Sequence, residues 1–188
     1  DIAATILFVP DGMSVQEAQD AAEADVVIEG GEGAATAEVD LTAARPRLVE
    51  THLHGGEVLD VPVPNVGTGG YTVHVTATEP VLAAVRVTSL GQAGIDFAWI
   101  GQASSLDAEA VLAVPEAQNP RLALANPRST PAEIAVEIDG ESTTVTVPAN
   151  GAIQLVVVAG ANVRRTGAAG ITAALVTGGD GLLAVAPV

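Results

Sequence analysis

Cysteine is absent from this chain, which excludes a disulfide framework, a thiolate metal site and a cysteine nucleophile. Lysine is absent as well, and all seven cationic residues are arginines. With so much Ala, Gly and Val, that pattern reads as coding bias rather than chemistry. Aromatic residues make up only 2% of the chain, one Trp, one Tyr and two Phe. A core must therefore be assembled from Val, Leu, Ile and Ala, which fill a thin two-sheet interior and, when β-branched, favour strands. No apolar run approaches the ~20 residues of a membrane-spanning helix. Nor is there a cluster of cations to hold nucleic-acid phosphates. The chain begins at Asp1, without an initiator Met or a signal peptide. The expectation is a mature or excised piece of a longer, exported protein.

What the chain does have is acid. A net charge of −16 argues against nucleic acid and against anionic membrane surfaces, and suits solubility in a crowded or salty exterior. A length of 188 residues allows one or two domains. The 20 Gly and 11 Pro supply frequent turns between short strands.

The sequence also repeats itself. Gly70-Tyr71-Thr72-Val73-His74-Val75 returns as Gly170-Ile171-Thr172-Ala173-Ala174-Leu175, and Leu82-Ala83-Ala84-Val85 as Leu182-Leu183-Ala184-Val185. Upstream, Ala37-Glu38-Val39 matches Ala132-Glu133-Ile134, Gly56-Glu57-Val58 matches Gly151-Ala152-Ile153, and Ile6-Leu7-Phe8-Val9-Pro10 resembles Val111-Leu112-Ala113-Val114-Pro115. Single matches are weak in so aliphatic a chain, but their collinearity predicts a duplication. The offset grows between blocks, which predicts a long loop in the second copy around Asn162 to Ala169.

Strands are predicted at 5–9, 25–29, 36–42, 47–53, 57–63, 71–77 and 81–88 in the first copy. The second has 110–114, 121–125, 132–138, 142–147, 152–158, 170–176 and 182–187. Alternation is clearest where Ile134, Val136 and Ile138 are separated by Ala135 and Glu137, and Asp139-Gly140 is a hairpin turn signal. The expected fold is all-β: two tandem immunoglobulin- or fibronectin-like sandwiches of about 90 residues each, at 1–90 and 110–188, joined by a linker at 91–109. One short helix embellishes the first copy. Ser14-Val15-Gln16-Glu17 has the form of a capping box, and the Ala-rich stretch to Ala24 follows it.

The block Asp96-Phe97-Ala98-Trp99 follows Ala83-Ala84-Val85-Arg86-Val87. Leu124-Ala125-Asn126-Pro127 then leads into Ala132-Glu133-Ile134-Ala135-Val136, and Val145-Thr146-Val147-Pro148-Ala149-Asn150-Gly151 comes after. In this order, from residue 25 to 188, the chain resembles the actinobacterial secreted and envelope proteins grouped as domain of unknown function 5719. The resemblance implies export to the cell envelope and a membrane anchor in the full-length protein. It brings no activity with it.

Three His are the candidates for a metal. His52 and His54 stand at i and i+2, so on a regular strand they share a face, and His74 lies on a later strand. Such a trio has the composition of an open zinc site, and hence of a zinc hydrolase. The repeat aligns His52 with Val147 and His54 with Ala149, which places His54 at the start of a turn and favours plain solvent-facing histidines. Glu17, Asp20 and Glu23 share one face of the predicted helix, an ordinary solvated face. There is no alternating-Asp calcium loop and no Gly-x-Ser-x-Gly elbow. Gly30-Gly31-Glu32-Gly33 lacks the Lys-Ser/Thr of a phosphate loop. Neither an enzyme nor a cofactor is expected.

Phe97 and Trp99, at i and i+2, offer two readings. As a junction plug, Trp99 would be buried between the two copies, and the protein would be a structural or protein-interaction module of the cell envelope. As a stacking platform, both would bind cell-wall glycans, with Tyr71 as a third aromatic. The plug is preferred because exposed apolar surface is costly. Arg164-Arg165, the only adjacent cations, are expected in the exposed second-copy loop.

Overall fold

The computed structural model describes residues 2–24, 43–63, 66–92, 94–167, 169–179 and 182–187. They are mostly strands in antiparallel sheets, with one helix. The chain divides into two compact units, 1–81 and 82–188.

In the first unit, β1 (Ile2–Pro10) is the middle of a three-stranded sheet, between β2 (Arg47–Leu53) and β3 (Tyr71–Ala77). Alternation divides β1 between two faces. Leu7 and Val9 bury under α1 (Val15–Ala24), whose Ala18 and Ala22, one turn apart, close the contact with Leu48. On the other face, the Phe8 ring meets Tyr71 edge-on at 6.4 Å. The helix starts where its capping box predicts. The Ser14 N–H donates to Glu17 Oε2 at 2.8 Å, and the Glu17 N–H donates back to Ser14 Oγ at 3.3 Å. Those Ser14 donors hold the Glu17 carboxyl below the usual carboxylate range.

The strands expected at 25–29 and 36–42 lie outside the described residues. The one expected at 57–63 is not a strand. Val58 is fully exposed there, and Pro62 removes a backbone donor from the segment.

Among the described residues the second unit holds ten strands. One sheet has the order β10 (Gly151–Val156), β7 (Arg121–Asn126), β12 (Thr172–Gly179), β13 (Leu182–Pro187). The other has β6 (Glu109–Ala113), β11 (Asn162–Gly167), β8 (Ala132–Ile138), β9 (Glu141–Val147). Both contribute to one aliphatic core, with Leu124, Ala173 and Leu175 from the first and Ile134, Val136, Val147 and Val163 from the second. The turn between β8 and β9 has positive φ at both Asp139 (48°) and Gly140 (92°), the geometry a two-residue hairpin loop requires.

Two expectations about this unit are corrected. The long loop around Asn162 to Ala169 is largely strand β11, paired with β6 on one side and β8 on the other. Its inward positions are Val163 and Arg165, its outward ones Arg164 and Thr166. An arginine at a core position hid the alternation.

The segment 91–109 is not a plain linker. The chain divides at Val81/Leu82, and β4 (Ala84–Gly91) pairs with β5 (Gly94–Gly101) in register from Ala84↔Gly101 to Gly91↔Gly94. The alternating run Ile95 to Ile100 takes its nearest neighbour in sequence as partner, the least costly loop to close. The repeat blocks accordingly land on strands with different neighbours. β13 pairs with β12, whereas its sequence counterpart β4 pairs with β5 rather than β3.

Candidate functional site

The β4–β5 hairpin has two chemically distinct faces. Its inner face carries Val85, Val87, Asp96, Ala98 and Ile100, and Asp96 reaches strand β13. Asp96 Oδ2 accepts the Leu183 N–H at 3.0 Å, while Oδ1 accepts the N–H of Phe97 at 2.9 Å. β13 is the last strand of its sheet, so this carboxylate covers a donor on an otherwise open edge.

Fixing Asp96 inward turns its neighbours outward. Leu90 pairs with Ile95, Thr88 with Phe97 and Arg86 with Trp99, and directly opposed residues in an antiparallel pair share a face. Leu90 is 78% exposed, Ile95 74%, Phe97 57% and Trp99 61%. The Arg86 guanidinium lies 5.8 Å from the centroid of the Trp99 ring, within cation–π range. The remaining positions on this face are Ala84 and Gly101. No carboxylate stands on it, in a chain with 23 of them.

Within its own unit, then, Trp99 is not buried. Of two alternating sets on β5, the one containing Asp96 is held against β13, and the aromatic set is left outside. Tyr71 is the third aromatic of the platform reading. It belongs to the first unit, where its hydroxyl accepts the Arg45 N–H at 3.0 Å and donates to the Gly67 carbonyl at 3.4 Å.

The three histidines are separated. His52 pairs with Ala3 and His74 with Leu7, on strands flanking β1 from opposite sides. Four positions of strand rise is about 13 Å, whereas zinc ligands lie within about 2 Å of one ion. His54 begins the turn after β2, its N–H donating to Glu57 Oε2 at 2.8 Å. His74 is half-buried, its Nε2 occluded and without a hydrogen-bond partner among the described residues, and burial lowers its pKa. Among the described residues, no three His, Asp or Glu are grouped to hold a metal ion. On the helix, Asp20 accepts from Gln16 and Glu23 from Gln19.

The adjacent arginines also part. Arg164 is half-exposed and pairs with Glu109 at 2.6 Å. Arg165 is buried, and its guanidinium donates to the Asp107 carbonyl. Burial disfavours its charged form, and the Asp107 carboxylate opposes that.

The two Asn-containing motifs of the second unit meet. Asn126 is buried at the end of β7. Its amide donates to the carbonyls of Thr130 (2.8 Å), Pro148 (3.0 Å) and Val147 (3.3 Å), and its Oδ1 accepts the Arg128 N–H at 3.1 Å. Asn150, with φ of 46°, returns its N–H to the Arg128 carbonyl at 2.7 Å. One knot of hydrogen bonds thereby ties the β7–β8 loop to the β9–β10 turn.

A family model described as "Family of unknown function (DUF5719)" matches residues 4–157. The chain belongs to this family. The DUF5719 match runs from β1 through β10, and so takes in the aromatic hairpin and the asparagine knot. No curated protein and no solved structure matches the chain. Among the described residues, no helix is long and apolar enough to cross a membrane.

Proposed function

We propose that this DUF5719 chain is a non-enzymatic interaction module of an extracellular or cell-envelope protein, docking a protein partner through the outer face of the β4–β5 hairpin. The observation that carries this reading is that face itself. Four large apolar side chains, Leu90, Ile95, Phe97 and Trp99, stand exposed side by side. An apolar patch without carboxylates on an acidic protein has the composition of an interface centre, where aromatics and Arg are enriched and acids depleted.

The alternative is a carbohydrate-binding module that stacks cell-wall sugars on Phe97 and Trp99. The exposure of both rings on one face favours it. Leu90 and Ile95 favour protein, because aliphatic side chains offer no ring for a sugar to stack upon. The fold reading belongs to the same proposal. In the second unit, β11-β8-β9 and β7-β10 have the neighbour relations of the F-C-C′ and B-E strands of an immunoglobulin-like sandwich. The sequence repeat is what supports reading the chain as two such domains in tandem.

A photo-crosslinking residue at Thr88, in the middle of the face, tests the docking. Placed in the full-length protein on its native cells, it should link to one discrete protein. That link should disappear in Phe97→Ser/Trp99→Ser. Links to glycan material, or none above background, reject the reading.

A further inference from the structure

A second feature of the same unit bears on what partner that face meets. An open cleft of about 540 Å³ lies at the β12–β13 end of the second unit, lined among others by Asp96, Glu116, Gln118, Thr177, Leu182 and Leu183. Among the described residues no cationic side chain lines it. Asp96 already takes two backbone N–H groups. Glu116 packs against Gly160, where a Cβ would come within 2.5 Å of its Oε1, and it has no ion-pair partner among the described residues. Thr177 points the same way as the core residues Ala173 and Leu175 along β12 and is only 9% exposed. Its hydroxyl makes no hydrogen bond among the described residues and is not occluded, so it opens to solvent at the cleft.

We infer that this cleft is a subsite for a cationic side chain, the ammonium of a lysine or the guanidinium of an arginine, presented by the protein that docks on the hairpin. The Glu116 carboxylate meets the charge, the Thr177 oxygen accepts one N–H, and Leu182 and Leu183 line the aliphatic stem. Asp96 adds to the negative field without having to release its backbone donors. A net charge of −16 draws basic partners toward the chain. These 188 residues contain no lysine, so a lysine bound there comes from outside them. The inference rests on the docking reading for the source of the cation, but not for the chemistry of the cleft.

The test is an amide NMR titration of the 188-residue chain with N-acetyl-lysine methylamide, its norleucine analogue and cadaverine. The lysine derivative should give saturable shifts at Gln118, Gly178 and Leu183, and the norleucine compound none. Glu116→Gln should weaken binding about tenfold, and Thr177→Val should weaken it too, with shifts elsewhere in the unit unchanged. Absence of saturation, equal response to norleucine, or indifference to Glu116→Gln overturns the subsite. Cadaverine binding as tightly as the lysine derivative overturns its assignment to a partner's side chain in favour of a free diamine. Failure of the Thr88 crosslink with lysine binding intact rejects the docking face alone.

Discussion

Asp96 and Leu183 are 87 positions apart in sequence, yet the carboxylate of one accepts the backbone N–H of the other at 3.0 Å. This bond joins the β4–β5 hairpin to the edge of β13, and it decides which hairpin face meets solvent. Asp96→Ala should leave the Leu183 amide without its acceptor and cost about 1–2 kcal/mol. Hydrogen exchange at Leu183 should accelerate. Asp96→Asn keeps an acceptor oxygen and should recover part of the protection.

Phe97 and Trp99, in contrast, should matter little to folding. Both are more than half exposed, and surface substitutions usually change stability by less than about 0.5 kcal/mol each. Denaturant unfolding of Phe97→Ser/Trp99→Ser should fall within about 1 kcal/mol of the parent chain. A much larger loss would mean that the rings are structural, and would remove the reason to assign the face to a partner.

Asn126 is the most costly polar side chain to lose. Asn126→Ala strands the Val147 carbonyl in the interior and releases two neighbouring loops, so a loss of about 2–4 kcal/mol is expected. Asn126→Asp should be no better. A carboxylate facing three carbonyl oxygens is repelled where the amide donated. Thermal melts of the two variants settle both points.

His74 predicts a pH dependence confined to the first unit. Burial lowers its pKa from the ordinary 6.5, so between the lowered value and 6.5 the unfolded chain binds the proton more readily than the folded one. The stability of the neutral state is therefore complete above about pH 6.5 and declines as pH falls through that window. Urea midpoints followed by near-UV signals of Tyr71, the only tyrosine, should decrease from pH 7.5 to pH 5. In His74→Leu that decrease should be smaller. An equal decrease in both proteins would place the titrating group elsewhere.

Much of the β architecture was legible along the chain. Strands β7, β8, β9 and β10 fall where alternation and the Asp139-Gly140 turn place them, and α1 starts at its capping box, because these signals act within a few residues. At β11 the misreading arose because the fate of a side chain was set by distant sequence. Arg165 occupies a core position because the Asp107 carbonyl, 58 residues upstream, accepts its guanidinium, so β11 read as a loop. Pro62 counts as a turn residue or an edge residue depending on a partner strand, and 57–63 has none among the described residues.

By itself the sequence determined that the core is aliphatic, that strands dominate, that the surface is acidic and that one aromatic pair would share a face. These follow from composition and from the two-residue period of a strand. Only the tertiary structure decided which face that was. Alternation sorts residues into two sets but does not say which set is covered, and here the choice rests on the contact of one carboxylate with a strand at the far end of the chain. The same contact leaves Phe97 and Trp99 in solvent, and it sets Asp96 at the wall of the acidic cleft.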